Sequence, residues 1–271
     1  MSKKWLAFDI ETLHKAPENP SDSYALGVTC AATMRSGDDR PRLWAAGPVG
    51  ADGRYPEKMT PAQVCDFAAY LVESAHDGYS VASINGLGFD FRVLAEECKD
   101  LVTFDNLREL ALAHYDPPFQ MLCERGFMVG MKALAIGLQL TEQKSADMDG
   151  QKAVEMWTGS RADQDKVLEY VAQDARTTLA IIEALENKRW TWEQWDFKRR
   201  ETVRYEDRQA VRWLTKAGKI SHHCLERGLL TVQECLALPL PDTNWMKKRG
   251  SEPRPREHSS GWTQINAESK S

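Results

Sequence analysis

The hydrophobic pattern at the start of the chain predicts three strands. Residues 5–11 are mostly apolar and predict the first strand, and residues 25–34 and 41–46 predict two more, joined by the turn-rich segment 36–39. Together they indicate an antiparallel meander. Residues 47–59 are rich in Gly and Pro and predict a loop.

Helical periodicity begins after this loop. Thr60 is a capping residue, Pro61 suits the first helical position, and Gln63 completes a capping box. The later predicted elements are a strand at 80–84, a helix opening at 89–94, a mostly helical stretch at 101–140 broken at 116–118, a polar loop at 141–150 and a long amphipathic helix at 163–186. This order predicts an α/β fold, a mixed sheet flanked by helices.

Composition narrows the class of protein. The 271 residues are 42% hydrophobic and 28% charged, which is typical of a globular chain. Apolar runs stay far below the ~20 residues of a membrane span, so we expect no membrane contact. Because the first strand begins at residue 5 and the six cysteines lack CxxC spacing, we expect no signal peptide, reduced thiols and a cytoplasmic location.

The charge changes sign along the chain. Residues 1–185 hold 18 Lys and Arg against 28 Asp and Glu, a net charge of −10, whereas residues 186–271 have a net charge of +5. The basic part either holds phosphates or is a soluble appendage. We predict a domain at 1–186, a basic Trp- and Arg-rich extension at 187–246 and a disordered tail at 247–271. The tryptophans of the extension either stack on bases or pack as an amphipathic helix.

The first strand has two carboxylates in apolar surroundings. Asp9 and Glu11 lie two residues apart, so they project from the same face of the strand. Two like charges on one face repel, and a divalent cation between them removes the repulsion. The alternative is a pair of surface charges on an edge strand.

Further acids follow on other elements. Asp90 lies at a strand–loop–helix junction, and Asp174 lies on the long helix, one turn after Tyr170. Four carboxylates from three elements suit two Mg²⁺ or Mn²⁺ ions that assist attack of water on a phosphodiester. Alone, Asp90 is more typical of a helix N-cap or first-turn acid than of a metal ligand, and only the set of acids overturns this. Tyr170 with Asp174 is also compatible with a solvated helix face.

These residues occur in three motifs of a known group. FDIET at 8–12, NGLGFD at 85–90 and YVAQD at 170–174 resemble the motifs of the DEDD superfamily of 3′–5′ exonucleases, which has a ribonuclease H-like fold. The tyrosine spacing resembles the DEDDy branch, which includes polymerase proofreading domains. The sister branch has a histidine where this chain has Glu169, so it does not fit.

The resemblance implies a role for each acid. Asp9 would bridge both metals, Glu11 and Asp174 would bind the nucleophile-side metal, and Asp90 would act on the second metal. Tyr170 would orient the attacking water, because a phenol with a pKa near ~10 is a poor base at pH 7. The residues predicted to contact the substrate are Ile10, Thr12, Asn85, Gly86 and Phe89, and Gly86 and Gly88 are expected to let the backbone approach the substrate strand.

We therefore expect a 3′–5′ exonuclease that releases nucleoside 5′-monophosphates with two divalent cations, Mg²⁺ or Mn²⁺. Single-stranded DNA ends are the expected substrate, with an RNA-trimming enzyme as the alternative. Two rival hypotheses are a catalytically silent nucleic-acid-binding or adaptor module and a structure-specific endonuclease. A protein partner such as a polymerase is also compatible, because the chain has no polymerase domain.

Two further groups of residues, at Asp116 and at 222–235, have both a functional and a local structural interpretation. Asp116 precedes two prolines, where Asp is expected to form local hydrogen bonds, and a site role is the less favoured interpretation. His222, His223, Cys224 and Cys235 suggest a metal site, but their spacing fits no standard zinc motif.

Overall fold

A computed structural model describes residues 3–19, 21–141 and 148–239 of the chain. The predicted disordered tail at 247–271, the end of the predicted extension at 240–246 and most of the predicted polar loop at 141–150 lie outside these residues.

A four-stranded mixed sheet forms the centre of the domain. Its strands are β1 (Lys4–Thr12), β2 (Val28–Arg35), β3 (Arg42–Ala45) and β4 (Tyr79–Ala82), in the order β3-β2-β1-β4. β1–β2 and β2–β3 pair antiparallel, which confirms the predicted meander, and β4 pairs parallel to β1. β2 begins three residues later than predicted, because Gly27 turns the chain at a positive φ of 72°.

Seven of the helices in the described part of the chain lie between residues 61 and 187. They are α1 (Pro61–His76), α2 (Asp90–Glu97), α3 (Leu101–Ala113), α4 (Pro117–Arg125), α5 (Met131–Gly137), α6 (Gly150–Trp157) and α7 (Arg161–Asn187). The capping box predicted at Thr60 and Gln63 is present at the start of α1. A second box, between Ser160 and Asp163, starts α7. In the described part of the chain, no helix combines the length and apolarity needed to cross a membrane.

The alternation of β1 sends its side chains into two different cores. Phe8 and Ile10 pack in the core that includes residues of α1, α2 and α3. Trp5 and Ala7 pack in the second core, against residues of α6 and α7. Asp9 and Glu11 continue the Trp5–Ala7 face, so the period of the strand directs both carboxylates toward α7.

The described part of the predicted extension forms an antiparallel sheet, so the amphipathic-helix hypothesis is wrong. Its strands are β5 (Arg189–Asp196), β6 (Glu201–Leu214) and β7 (Ile220–Cys224), in the order β5-β6-β7. The sequence signal is the spacing of Trp190 and Trp192, because aromatics at period two favour a strand.

Residues 228–232 have the apolar composition of a short strand, but they do not form one. Thr231 makes a single antiparallel bridge to Tyr115 and then caps helix α8 (Val232–Leu236), where its side chain and Glu234 form a capping box. The local cap therefore decides the conformation of this segment.

The C-terminal sheet shares a core with the rest of the chain. Val211 of β6 and Leu225 are buried together with Leu134 of α5 and Leu185 of α7. Gly137 allows this approach, because a Cβ at that position would lie 2.3 Å from Cα of Trp213. The backbones of α5 and β6 therefore lie in direct contact at Gly137, where there is no room for a side chain.

The close approach at Gly137 leads to a stability prediction. Gly137→Ala should lower the free energy of unfolding by about 1–3 kcal/mol, because a backbone atom of β6 must move to make room. Gly150→Ala is the matched control, since nothing lies within 4 Å of its added Cβ. Urea unfolding of both variants measures the difference, and equal stabilities would contradict the described packing.

Candidate metal centre

Three of the four predicted acids meet between β1 and α7. Each of Asp9, Glu11 and Asp174 offers one carboxylate oxygen, and these oxygens lie within 4.8 Å of one another. Glu11 and Asp174 are buried, with 7% and 2% of their surface exposed, and Asp9 is half-buried. Three negative groups so close in a partly dry site attract a cation, and oxygen ligands suit Mg²⁺ or Mn²⁺. This donor set fits the expected metal.

Tyr170 lies one turn before Asp174 and is buried beside the same acids. Its phenol donates a hydrogen bond to the Asp174 carboxylate. Burial raises the pKa of the phenol, and the nearby charges of Asp174, Glu11 and Asp9 raise it further. The hydroxyl therefore keeps its proton at neutral pH, where it is a hydrogen-bonding group and not a base.

The negative field of the cluster also reaches Cys30, a residue that the sequence did not single out. Cys30 of β2 pairs directly with Glu11 of β1 and is fully buried. Burial raises the pKa of its thiol, and the charges of Glu11 and Asp9 raise it further. The thiol therefore stays protonated, which disfavours it as a metal ligand.

Asp90 is buried at the first position of α2, outside the group of three. Its carboxylate accepts the backbone N–H of Ile10, the residue between Asp9 and Glu11. Burial, with a contribution from the charge of Asp116, raises the pKa of Asp90 to about 7. Its Oδ1 has no hydrogen-bond partner among the residues the structure describes. A buried acceptor without a partner suits a cation at this position.

Asp116 holds the loop that leads to Asp90. Its carboxylate accepts the backbone N–H groups of Asn85 at 3.0 Å and Leu87 at 3.2 Å, and it also caps α4 through Phe119. Burial raises the pKa of Asp116 to about 6, although these hydrogen bonds oppose the shift. The sequence favoured local hydrogen bonds for Asp116 over a site role, and the structure shows both the local cap and a positioning role. The cap was recognisable from the two prolines, but the contact across 31 residues was not.

His114 lies beside the Asp116 carboxylate, which anchors the loop that leads to Asp90. Its Nε2 is 3.9 Å from Oδ2 of Asp116, and both side chains are fully buried. Burial lowers the pKa of His114 to about 4, so the imidazole is neutral at pH 7. Asp116 therefore holds the loop through its hydrogen bonds to backbone amides and not through an ion pair with His114.

The predicted substrate residues differ in how accessible they are. Asn85 is exposed at a positive φ of 65°, and Phe89 is half-buried against Tyr24. Ile10 is buried in the core, and the buried Thr12 donates its hydroxyl to the His14 carbonyl. Asn85 and Phe89 therefore offer their side chains to a ligand more readily than Ile10 or Thr12.

The glycines of the same loop have an internal packing role. A Cβ on Gly86 would lie 1.9 Å from Oγ of Ser83, and a Cβ on Gly88 would lie 2.7 Å from Oδ1 of Asn85. These contacts explain the two glycines without the approach to a substrate strand that the sequence suggested.

The separate metal site suggested at His222, His223, Cys224 and Cys235 finds no support. Within residues 3–19, 21–141 and 148–239, Asp9, Glu11 and Asp174 form the one group of three or more potential ligands close enough to share an ion. His223 contacts the Glu124 carboxylate, and His222 stacks on Trp192.

Comparison with known proteins supports the fold. Residues 55–186 match the family model RNase_H_2, described as the RNase_H superfamily. This match and the mixed sheet flanked by helices confirm the ribonuclease H-like fold that the resemblance to the DEDD superfamily implies. No curated protein matches the chain in sequence.

Solved structures of nucleic-acid enzymes are similar to the chain. A family B DNA polymerase from Pyrobaculum calidifontis is 22% identical, with a TM-score of 0.46, over 68% of this chain and 25% of the polymerase. Exonuclease I from Methylocaldum szegediense is 14% identical, with a TM-score of 0.32, over 69% of this chain and 41% of the enzyme. E. coli exonuclease I, solved with a dT13 oligonucleotide, is 13% identical, with a TM-score of 0.31 and the same coverage. All three scores lie below 0.5, so the likeness carries no argument about activity.

The role of Asp116 can be tested by a conservative change. Asp116→Asn replaces one acceptor oxygen by an amide donor, so a buried backbone N–H of the loop loses its partner. The free energy of unfolding should fall by about 1–3 kcal/mol, and Mn²⁺ affinity should fall because Asp90 loses its support. The control is Asp100→Asn, an exposed N-cap of α3 that accepts the Thr103 amide, where Asn caps equally well. Equal unfolding curves and Mn²⁺ titrations for the two variants would refute the positioning role.

Proposed function

We propose that this chain, with its RNase_H superfamily match at residues 55–186, is a metal-dependent 3′–5′ exonuclease of the DEDDy type. The observation that carries the proposal is the convergence of Asp9, Glu11 and Asp174 within 4.8 Å. The buried Tyr170 beside them supports the tyrosine branch.

The acids would hold two divalent cations, Mg²⁺ or Mn²⁺. Asp9, Glu11 and Asp174, whose oxygens lie close together, would hold one of them, and Asp90, whose carboxylate accepts the amide of Ile10, would serve the second with Asp9. When bound, the ions supply a lowered pKa for the attacking water and charge stabilisation for the leaving oxygen.

Tyr170 would orient the attacking water. Its hydroxyl donates to the Asp174 carboxylate, and a phenol oxygen is also able to accept a hydrogen bond from water. Because the raised pKa keeps the phenol protonated, the water proton must pass to solvent or to a carboxylate. The contribution of Tyr170 is then geometric.

The preferred substrate of this proposal is a single-stranded DNA end, cleaved to nucleoside 5′-monophosphates. The burial of Glu11 and Asp174 supports attack on a frayed terminus over attack within a duplex. RNA trimming is the alternative substrate choice. The presence of all four acids argues against a catalytically silent module, and the comparisons do not support a protein partner such as a polymerase.

A nuclease assay tests the site. With 5′-labelled single-stranded DNA and Mn²⁺, the wild type should produce a ladder shortened from the 3′ end, and EDTA should stop it. Asp9→Asn should abolish the ladder, and Tyr170→Phe should slow it by about a hundredfold through misplacement of the water. The control Asp165→Asn alters an exposed acid of the same helix, paired with Arg161, and should cleave normally.

Three results would refute this assignment. They are equal cleavage by the wild type and Asp9→Asn, absence of cleavage of DNA and RNA in Mn²⁺, and cleavage of a circular single strand, which would indicate an endonuclease. The same panel with labelled RNA decides between the two substrates.

The raised pKa of Asp90 predicts a pH dependence of metal binding. Below pH 7 the carboxyl is protonated, so a cation must displace a proton, whereas above pH 7 the carboxylate is already ionised. Mn²⁺ affinity should fall by about tenfold for each pH unit well below 7. Titrations between pH 5.5 and 8 measure this slope. Asp90→Asn should bind more weakly but with a flatter pH profile, and an unchanged slope would exclude Asp90 as a ligand.

A further inference from the structure

The hairpin between β5 and β6 ends in a tip of unusual composition. We define the hairpin tip as residues 195–200, Trp-Asp-Phe-Lys-Arg-Arg. Phe197 is 85% exposed and Trp195 is 48% exposed. Large apolar side chains in water at a projecting turn are typical of a binding surface.

The tip has a defined conformation. The Asp196 carboxylate accepts the backbone N–H groups of Lys198 at 2.8 Å and Arg199 at 3.1 Å, and the Asp196 carbonyl accepts the N–H of Arg200. Three consecutive cations are therefore presented from an ordered turn and not from a random loop.

Arg200 occupies a backbone conformation that does not favour it. Its φ is +55°, in the left-handed region where glycine or asparagine is the usual residue in a hairpin turn. Because Arg200 is exposed, burial of its side chain does not account for this conformation.

The base of the hairpin is held by stacked rings. Trp192 lies between Tyr205 and His222, with ring centroids 4.8 Å and 5.1 Å away and interplanar angles of 13° and 10°. Trp192 is 7% exposed, so this tryptophan packs within the sheet, whereas Trp195 does not. The stack links all three strands and gives the tip a rigid support.

The charges select a polyanion as the ligand. Lys198, Arg199 and Arg200 are exposed, and within the described residues the ion pairs of Arg199 are long, at 3.8 Å to Asp196 and 4.0 Å to Glu201. Such exposed pairs are weak and yield readily to a phosphate. Residues 1–185 have a net charge of −10 and repel a polyanion, so attraction must come from the basic part. Residues 240–271, with a net charge of +2, do not complement the tip.

We propose that the hairpin tip binds single-stranded nucleic acid, with bases stacked on Trp195 and Phe197 and phosphates paired with Lys198, Arg199 and Arg200. Rings interleaved with cations are what this ligand requires, because every base offers a face and every linkage a charge. The proposal rests on the proposed function for its choice of ligand. It concerns a surface separate from the acids, so binding there needs no metal.

Fluorescence polarisation of a labelled 20-nucleotide dT strand in EDTA tests binding without cleavage. Phe197→Ala and Trp195→Ala should each weaken binding by about tenfold to a hundredfold, and Phe197→Trp should retain it. Replacing Lys198, Arg199 and Arg200 by Ala should lower the slope of log Kd against log salt by about 2. The matched control is Leu101→Ala, a side chain 83% exposed on α3.

Arg200→Gly separates binding from stability. Glycine relieves the positive φ, so the melting temperature should stay or rise while binding weakens. A merely structural arginine would give the opposite result. The proposal is overturned if these variants bind the strand like the wild type. It is also overturned if the tip substitutions change only sedimentation, which would indicate a second copy as the ligand, or only binding to anionic vesicles.

The outcome is independent of the nuclease assay. Loss of binding in the tip variants of a chain that cleaves nothing would support this surface and refute the proposed function. Normal binding in the tip variants of an active nuclease would do the reverse.

Discussion

The constraint on which the rest of the molecule depends is the mutual repulsion of Asp9, Glu11 and Asp174. Their oxygens lie within 4.8 Å of one another between β1 and α7. Their charges affect two neighbours: together with burial, they raise the pKa values of Tyr170 and Cys30. A fold selected for stability alone would not place three acids here. The surrounding structure instead keeps them in place, since β1 is buried on both sides of the sheet and α7 is fixed by its capping box.

The fourth acid is supported by a second, independent device. The Asp116 carboxylate accepts hydrogen bonds from the backbone N–H groups of Asn85 and Leu87 in the loop. The loop in turn positions Asp90, whose carboxylate accepts the amide of Ile10. Burial of Asp90, with a contribution from the nearby charge of Asp116, raises the free-energy cost of ionising its carboxyl group, so the pKa of Asp90 rises to about 7. Strand, loop and helix therefore meet at one place through hydrogen bonds from backbone N–H groups to two short carboxylate side chains. Such support is what a metal centre requires of its surroundings.

Local patterns predicted much of this architecture, and distant contacts limited the prediction. The period of two in β1 placed Asp9 and Glu11 together, and the capping signals at Thr60 located α1 correctly. Helix α6 lacked such a prediction, because the polar stretch before it was interpreted as loop. The extension was misjudged because Trp and Arg spacing was weighed as a helix, although Trp190 and Trp192 alternate as in a strand. The Asp116 anchor and the meeting of Gly137 with Trp213 join segments 31 and 76 residues apart, which no local pattern contains.

The most direct test of the central claim is the thermal stability of the Glu11→Gln variant with and without Mn²⁺. Removing one of three repelling charges should raise the melting temperature of the metal-free protein above that of the wild type. Mn²⁺ should then stabilise the wild type strongly and the variant weakly, because binding to the native state alone shifts unfolding. A metal-free variant that melts below the wild type, or an equal response of both proteins to Mn²⁺, would contradict the account.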